Sequence, residues 1–487
     1  MKRKIAFLLC LLMVSSQALA CGSEASGSQD TTSSDTTTAA TTAAEPEYEY
    51  ADLDLGGADF NILNVNAGND YYMIDVEMSG DILDDAVWKR NETVEEKYNF
   101  NLVEVGMGGN DLNTTVRNVV MAGDNVYQAA YLRTDTLGGV VSDGLLWDLN
   151  EGVGFQFDEP WWDHAVMEDM RIGDNEALYF ASSDISLHNF EMSWCMYFNR
   201  NMITNLQLDL PYHIVKEGKW TYDKLYEYVN VGHNLNGDES YTFNANGNAV
   251  YGFTSMSPDC ITQAFISCGE KYVRMEDNTP TFTAGTDKYY AVAEKLAKVF
   301  AGNGIAHFGN TTTDGSHYEL VFGAGRAMFV GSEIKSGDGG GRYADMTDDY
   351  GIVPMPKFDE DQENYISPVA LWTYFLTIPS SNPDIETASY VLDALAYLSY
   401  KDVVPAYYDV TLSVKNIRDE ETAEMLDIIR STRTYLTAYA FGWGSDLRSK
   451  VATSVRNGAG DLASIIATQK TKVETEIDAS LEAFASK

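Results

Sequence analysis

The chain has 487 residues, 45% of them hydrophobic and 22% charged, which is enough apolar mass to exclude a wholly disordered protein and to build more than one domain. Its 33 Lys and Arg stand against 73 Asp and Glu, and a net charge of −40 argues against nucleic-acid backbones or anionic lipid headgroups as partners, since both would be repelled. Thirty Tyr, 20 Phe and 8 Trp offer flat stacking surfaces, although burial preference assigns most of them to the core.

Residues 1–20 carry Lys2, Arg3 and Lys4, then an apolar run from Ile5 to Val14, then Ala18-Leu19-Ala20, the order of charge, apolar core and small-residue cleavage site that predicts a secretory signal. Cys21 follows directly. Ala18-Leu19-Ala20-Cys21 resembles the lipobox of bacterial lipoproteins, with Ala18 where that family prefers Leu, and the resemblance implies a diacylated Cys21 as the mature N-terminus. From Gly22 to about Glu47 the chain is Ser, Thr, Ala, Gly, Asp and Glu, a composition that buries too little surface to fold; a disordered tether is predicted over 21–56. Beyond Cys10 and Cys21 stand Cys195, Cys260 and Cys268, an odd number without C-x-x-C spacing, against a zinc site or a disulfide framework. A Cys260–Cys268 bridge and free buried thiols both stay open.

From Asp59 strands and helices alternate. Phe60 to Val65 reads as a strand; a helix after an Asp84 N-cap places Val87, Val94 and Tyr98 on one face; Phe100 to Val105 is a second strand. Leu112, Val116, Val119 and Val120 then mark a helix stopped by Gly123, before a strand from Val126 to Leu132. This β-α-β-α-β order predicts a parallel sheet. Later helices are expected around Tyr289 to Phe300 and from Ile385 after Asn382-Pro383. The C-terminal third reads as helical, with core stripes at Met425, Ile428 and Ile429 and at Leu462, Ile466, Val473 and Ile477. No apolar run after residue 20 reaches transmembrane length.

Motifs for chemistry are scarce. The six histidines, at 164, 188, 213, 233, 307 and 317, show no metal-ligand spacing, and there is no G-x-S-x-G elbow, Walker loop or G-x-G-x-x-G after a strand. Gly339-Gly340-Gly341 reads as a loop. Asn234 to Glu239 looks like the start of a calcium loop, yet Glu239 replaces the turn glycine and Ala245 the bidentate Glu. No cofactor, metal or catalytic residue is expected.

Several segments together resemble an extracellular solute-binding protein of an ABC importer, of the large two-lobed type of Gram-positive gut anaerobes. They are Gly80 to Val87 with Arg90-Asn91, Tyr197-Phe198-Asn199-Arg200, Glu217 to Asp223, Phe322 to Phe329, Tyr350 to Lys357, and Asp419-Glu420-Glu421 leading to Met425-Leu426. The resemblance implies an α/β, two-lobed periplasmic-binding-protein-like (class II) fold with hinge crossovers and a helical C-terminal part. The expected N-lobe is 57–183 plus 365–401 and the C-lobe 184–364 plus 402–487, with strand crossings near Ser182 to Ser186, Tyr365 to Val369 and Tyr400 to Val404. It also implies a monomer at the outer face of the cell membrane, held there only by its lipid, that hands a sugar to permease subunits.

Open α/β sheets bind ligands outside the C-terminal ends of their strands, so loops there become candidates. After the first strand lie Asn66, Asn69, Asp70, Tyr71 and Tyr72, and after the third Tyr131, Arg133 and Asp135. Across the cleft the candidates are Asp184, Glu333, Trp372, Tyr439, Phe441 and Trp443, with Trp161, Trp162 and Trp220 read as structural. Aromatic rings would stack on sugar faces while Asp, Asn and Arg take hydroxyls. The alternatives are a surface-anchored glycan hydrolase using an Asp/Glu pair, and a binding protein for a peptide or another organic solute.

Overall fold

Strand β1 (Ala58–Val65) buries Phe60, Ile62, Leu63 and Val65, the nearly continuous apolar run of a strand covered on both faces. The helix Ile82–Tyr98 follows, and Asp81 caps it by accepting the amides of Leu83 and Asp84. Asp84, the expected cap, instead lies in the first turn beside Asp85, where negative charge suits the helix dipole. Asn99 closes that helix at φ 52°, a left-handed conformation Asn tolerates, and β2 (Phe100–Met107) begins at once. The computed structural model describes residues 48–66, 74, 76–302, 304–337, 342–343, 345–413 and 420–485. The chain divides into Met1–Tyr48 and Glu49–Lys487, and every strand and helix named here lies in the second unit. The predicted signal, Cys21, Asn69 to Tyr72 and the Gly339 to Gly341 run fall outside the described residues. Tyr50 and Leu55, expected in the tether, are held instead: the Tyr50 ring meets Tyr98 edge-on at 6.3 Å, and the Leu55 amide donates to the Tyr98 carbonyl.

After the helix Leu112–Ala122, closed by Gly123 at φ 74°, comes β3 (Ala129–Arg133). It starts later than Val126, which is exposed, because Gln128 ends the approach: its amide donates to Asn61 O and its side chain accepts from Asn61 N. Strands β4 (Trp194–Asn199) and β5 (Tyr251–Ser255) open a second sheet, and a hairpin of β6 (Val273–Glu276) and β7 (Thr279–Phe282) intervenes. Strands β8 (Ala306–Phe308), β9 (Ala327–Glu333) and β10 (Tyr350–Pro354) complete that sheet in the order β10-β4-β9-β5-β8. Two residues, β11 (Ser367–Pro368), precede β12 (Tyr374–Thr377), which returns to pair antiparallel with β3 and gives the first sheet its order β12-β3-β1-β2. Far along the chain β13 (Arg433–Thr434) pairs in parallel with β11.

Two passages link the sheets, 182–193 and 355–373. The Ser193–Val369 bridge and the Ala370 amide on Met192 O bind them side by side. Buried Arg90 holds the first passage by donating to Ile185 O at 2.8 Å, and reaches Ser399 Oγ and Ile74 O as well. The crossing expected at Tyr400 to Val404 is no strand. Ser399–Val403 forms a π turn between the helices Ile385–Leu398 and Val404–Ser413, so the helical pattern begun at Ile385 continues through it against Ile82–Tyr98.

The core confirms the structural reading of three tryptophans. Trp161 and Trp162 both donate to the buried Asp393 carboxylate, and Trp220 donates to Pro354 O at 3.0 Å. Cys195, Cys260 and Cys268 are free buried thiols, so no bridge joins the last two. In the calcium-like segment Asp238 accepts the amides of Asn248 and Ala249 and so closes its own loop.

Candidate ligand-binding site

The register decides which ends of the sheets carry side chains toward each other. In the first sheet Arg133, at the C-terminal end of β3, lies opposite Tyr374 at the start of β12; in the second, Glu333 at the end of β9 lies opposite Trp194 at the start of β4. The passages leave and enter at these ends.

On the first side Asn113 fixes the Arg133 backbone by accepting its amide and donating to its carbonyl, both at 2.9 Å. The guanidinium is thereby aimed at Asp135, 2.8 Å away. Thr134, between them, is locked to the returning chain through Leu371 O and the Thr373 amide. That lock leaves the Trp372 ring 37% exposed beside the strand end, a flat surface open to solvent. Burial raises the Tyr374 hydroxyl pKa against the opposing pull of Arg133, and its ring lies 5.3 Å from that of buried His188. Burial, with Lys335 adding to it, pushes His188 well below its ordinary range, which keeps it neutral.

On the second side the helix Asp259–Ser267 begins just beyond β5, and Asp259 pairs with Arg448 at 2.5 Å. Arg448 belongs to the helix Ser445–Arg456, and its guanidinium stands 5.4 Å over the Tyr439 ring. Tyr439 joins the two sides: burial raises its hydroxyl pKa, Arg448 opposes this, and the charges of Asp135, Asp259 and Arg133 all act on it. Two buried donors lack acceptors here, Nε of Arg133 and Nε of Arg448. Buried donors are paired as a rule, so both N–H groups are available to a ligand oxygen, as is Nε of Arg433 in the pocket beside the first passage.

The structure therefore brings together Arg133, Asp135 and Tyr439; Glu333 is buried at the end of β9, within electrostatic reach of Asp259. Asn66 is exposed just past β1, its amide on Met107 O, and Tyr71 lies outside the described residues. Three expected site residues go elsewhere. Tyr131 is buried within β3 at 3% exposure, because that strand is covered on both faces. Trp443 is fully buried: its ring stacks on Phe441 at 4.8 Å and its Nε1 donates to Ser480 Oγ of the C-terminal helix Leu462–Ala485, so it anchors that helix and presents no platform. Asp184 is bound to Arg430 in a separate pocket of about 560 Å³, which Trp162, Asp163, His164, Ile428 and Arg433 also line. Sequence reasoning missed Asp259, Arg448, His188 and Tyr374. The rule of loops after strands would have found Asp259 had it been applied to β5; nothing local singles out Arg448.

Among the described residues no three His, Cys, Asp or Glu side chains are grouped as a metal site, and no helix is long and apolar enough to cross a membrane. The fold, two α/β sheets linked by paired passages, is the two-lobed periplasmic-binding-protein-like fold. UgpB from Mycobacterium tuberculosis, in complex with glycerophosphocholine, matches with a TM-score of 0.55 and 14% identity over 88% of this chain and 99% of its own. A cyclo/maltodextrin-binding protein complexed with maltotetraose matches with a TM-score of 0.57 and 13% identity over 87% and 97%. An ABC substrate-binding protein from Listeria monocytogenes in complex with cycloalternan gives 0.53 and 11% over 88% and 99%. No family model matches the sequence, and no curated protein matches it.

Proposed function

We propose that this chain is the ligand-capturing component of an ABC importer, that it closes on a carbohydrate between its two sheets, and that it passes the sugar intact to membrane permease subunits. The observation that carries the reading is the pair of buried Arg133 and Arg448 Nε donors without acceptors, both arginines lying within electrostatic reach of Tyr439, with Trp372 exposed beside the end of β3. Each guanidinium already has an Asp partner, so the space suits hydroxyl oxygens of an uncharged ligand better than a free anion. The fold likeness to proteins holding maltotetraose and cycloalternan agrees with this. Groups on both sides also supply the differential affinity that closure needs, because only a closed form satisfies both sets. The two moving halves would be 57–183 with 365–401 and 184–364 with 402–487.

Calorimetry against a panel of neutral oligosaccharides, with glycerophosphocholine and a peptide mixture alongside, tests the reading. Binding of a glycan recovered unchanged by mass spectrometry is expected. A cleaved glycan would move the protein to the hydrolases, and binding of the other solutes alone would overturn the carbohydrate assignment. The same reading makes Cys21 the lipid-bearing N-terminus of a monomer at the outer face of the membrane. Cys21→Ser should release the protein from cells, and continued retention would remove the anchor.

A further inference from the structure

The pocket of about 560 Å³ beside the first passage stands apart from the facing sheet ends. Three stretches wall it: 160–165, Ser183 with Asp184 in the passage itself, and 427–433, which runs from the end of the helix Glu420–Ser431 into β13. Paired backbone sets these walls. The Asp163 amide donates to Ser182 O at 3.0 Å and Trp162 bridges Ser183, which ties the first stretch to the first passage, while β13 lies against β11 and ties Arg433 to the second.

Inside, Arg433 and Asp163 face each other with Nη2 3.0 Å from Oδ2, their side chains 6% and 7% exposed. The pair leaves two atoms over. Nε of Arg433 has no acceptor, and Oδ2 of Asp163 receives no aligned hydrogen bond even from the guanidinium beside it; Oδ1 takes the Val166 amide. Arg430, by contrast, is matched, donating to both oxygens of Asp184. A buried N–H and a buried carboxylate oxygen left without hydrogen bonds are each costly, and each calls for a partner. Burial raises the Asp163 carboxyl pKa against the pull of Arg433, as expected where a charge is incompletely met.

The chemistry of the missing partner follows from the walls. Asp163, Asp184 and Asp427 stand against Arg430 and Arg433, so there is no surplus of positive charge to draw an anion. A hydroxyl suits both leftover atoms, because one oxygen accepts from an N–H and donates to a carboxylate at the same time. Water has the same ability, but its share of liquid volume is only about 30 Å³, and Pro160, Trp162 and Ile428 give the pocket an apolar wall that C–H groups cover and water does not. The volume is that of a small-molecule site.

We propose that this pocket is a second ligand site, taking a small, neutral, polyhydroxylated molecule with one hydroxyl bridging Nε of Arg433 and Oδ2 of Asp163 and the carbon skeleton against the apolar wall. Binding here and capture at the facing sheet ends are independent claims, and either can fail without the other.

The full chain is titrated with mannitol and with maltose, and with glycine as a charged control, while the Arg433 Nε–H resonance is followed; its absence from Arg433→Lys identifies it. Either polyol should move that resonance saturably in the wild type and equally in Arg448→Ala. Arg433→Lys keeps a cation opposite Asp163 and removes the Nε–H, and Ser431→Trp fills the pocket from its exposed rim; calorimetry should show binding at the Arg448-independent site weakened about tenfold or more in each. Ser431→Trp should leave any capture that depends on Arg448 unchanged. A resonance that neither polyol moves overturns the second site, whatever binds at the cleft. A shift that disappears in Arg448→Ala assigns all binding to the cleft and overturns it too, and a shift produced by glycine alone overturns the neutral class of ligand. Should either pocket variant fail to fold by circular dichroism, the wild-type and Arg448→Ala resonances decide.

Discussion

Two places in this protein pair two arginines with two aspartates, and they differ in what surrounds the pairs. Beside the first passage Arg433 and Asp163 are 6% and 7% exposed, and Arg430 holds Asp184 close by; both guanidinium groups lie 5.5 Å from the Phe190 ring. At the facing sheet ends Arg133 and Asp135 are 29% and 30% exposed, and Arg448 with Asp259 stands over a tyrosine reached from both sides. Chemistry of the same kind thus serves two ends. The Arg433–Asp163 pair is a tie, because breaking it strands a charge in low dielectric, whereas the Arg133–Asp135 pair is open enough for a ligand to reach.

The sharpest way to break that contrast is Arg433→Ala. It leaves Asp163 buried and unpaired, and should cost about 3–5 kcal/mol in urea unfolding with little change in ligand affinity. Burial already raises the Asp163 carboxyl pKa against the pull of Arg433. A carboxyl raised in the folded state favours folding at low pH and loses that advantage as pH rises through its folded value, so the cost of Arg433→Ala should shrink on acidification. A cost that grew toward acid would show that the pair is not what holds the site. Arg448→Ala should do the converse, lowering affinity for whichever ligand the wild type binds by roughly 1.5–3 kcal/mol while costing less stability than Arg433→Ala. Equal affinities by calorimetry would take Arg448 out of the site. The smallest effect belongs to Trp372→Ala, about 0.5–1.5 kcal/mol in affinity for an aromatic face lost from an exposed edge, with the melting temperature nearly unchanged.

What could be read in the sequence follows the range of the forces involved. Strands β1 and β2 and the helices Leu112–Ala122 and Ile385–Leu398 were legible because apolar spacing and a stop signal at Gly123 act within a few residues. Arg133 and Asp135 were legible for the same reason, since they follow a recognisable strand. Trp443 and Tyr439 show the limit. Both are aromatic and lie in one loop region, and only the packing of Ser480 and Phe441 on the first decides that it is the second that faces Arg448. The crossing strand expected at Tyr400 to Val404 came from the resemblance and not from local spacing; Lys401 and Asp402 break any apolar run there, and the segment continues the helical path against Ile82–Tyr98. Arg448 reaches Asp259 across 189 residues, a distance over which no spacing rule applies.

The pairing of β12 with β3 sets the order in which the molecule can be finished. Thr134 waits for Leu371, 237 residues later, Ala130 for Thr377, 247 later, and Arg90 for Ser399, 309 later. Three parallel strands of the first sheet are therefore made long before the strand that closes the β3 edge, and the Arg90 guanidinium long before one of its acceptors. Contacts of such sequence separation form slowly, and until they form the β3 edge offers unpaired amides and carbonyls to any strand that meets it. A nascent chain that ends before Thr377 holds that edge open, so one strand some three quarters of the way along the polypeptide governs whether the first third becomes a covered sheet or a seed for aggregation.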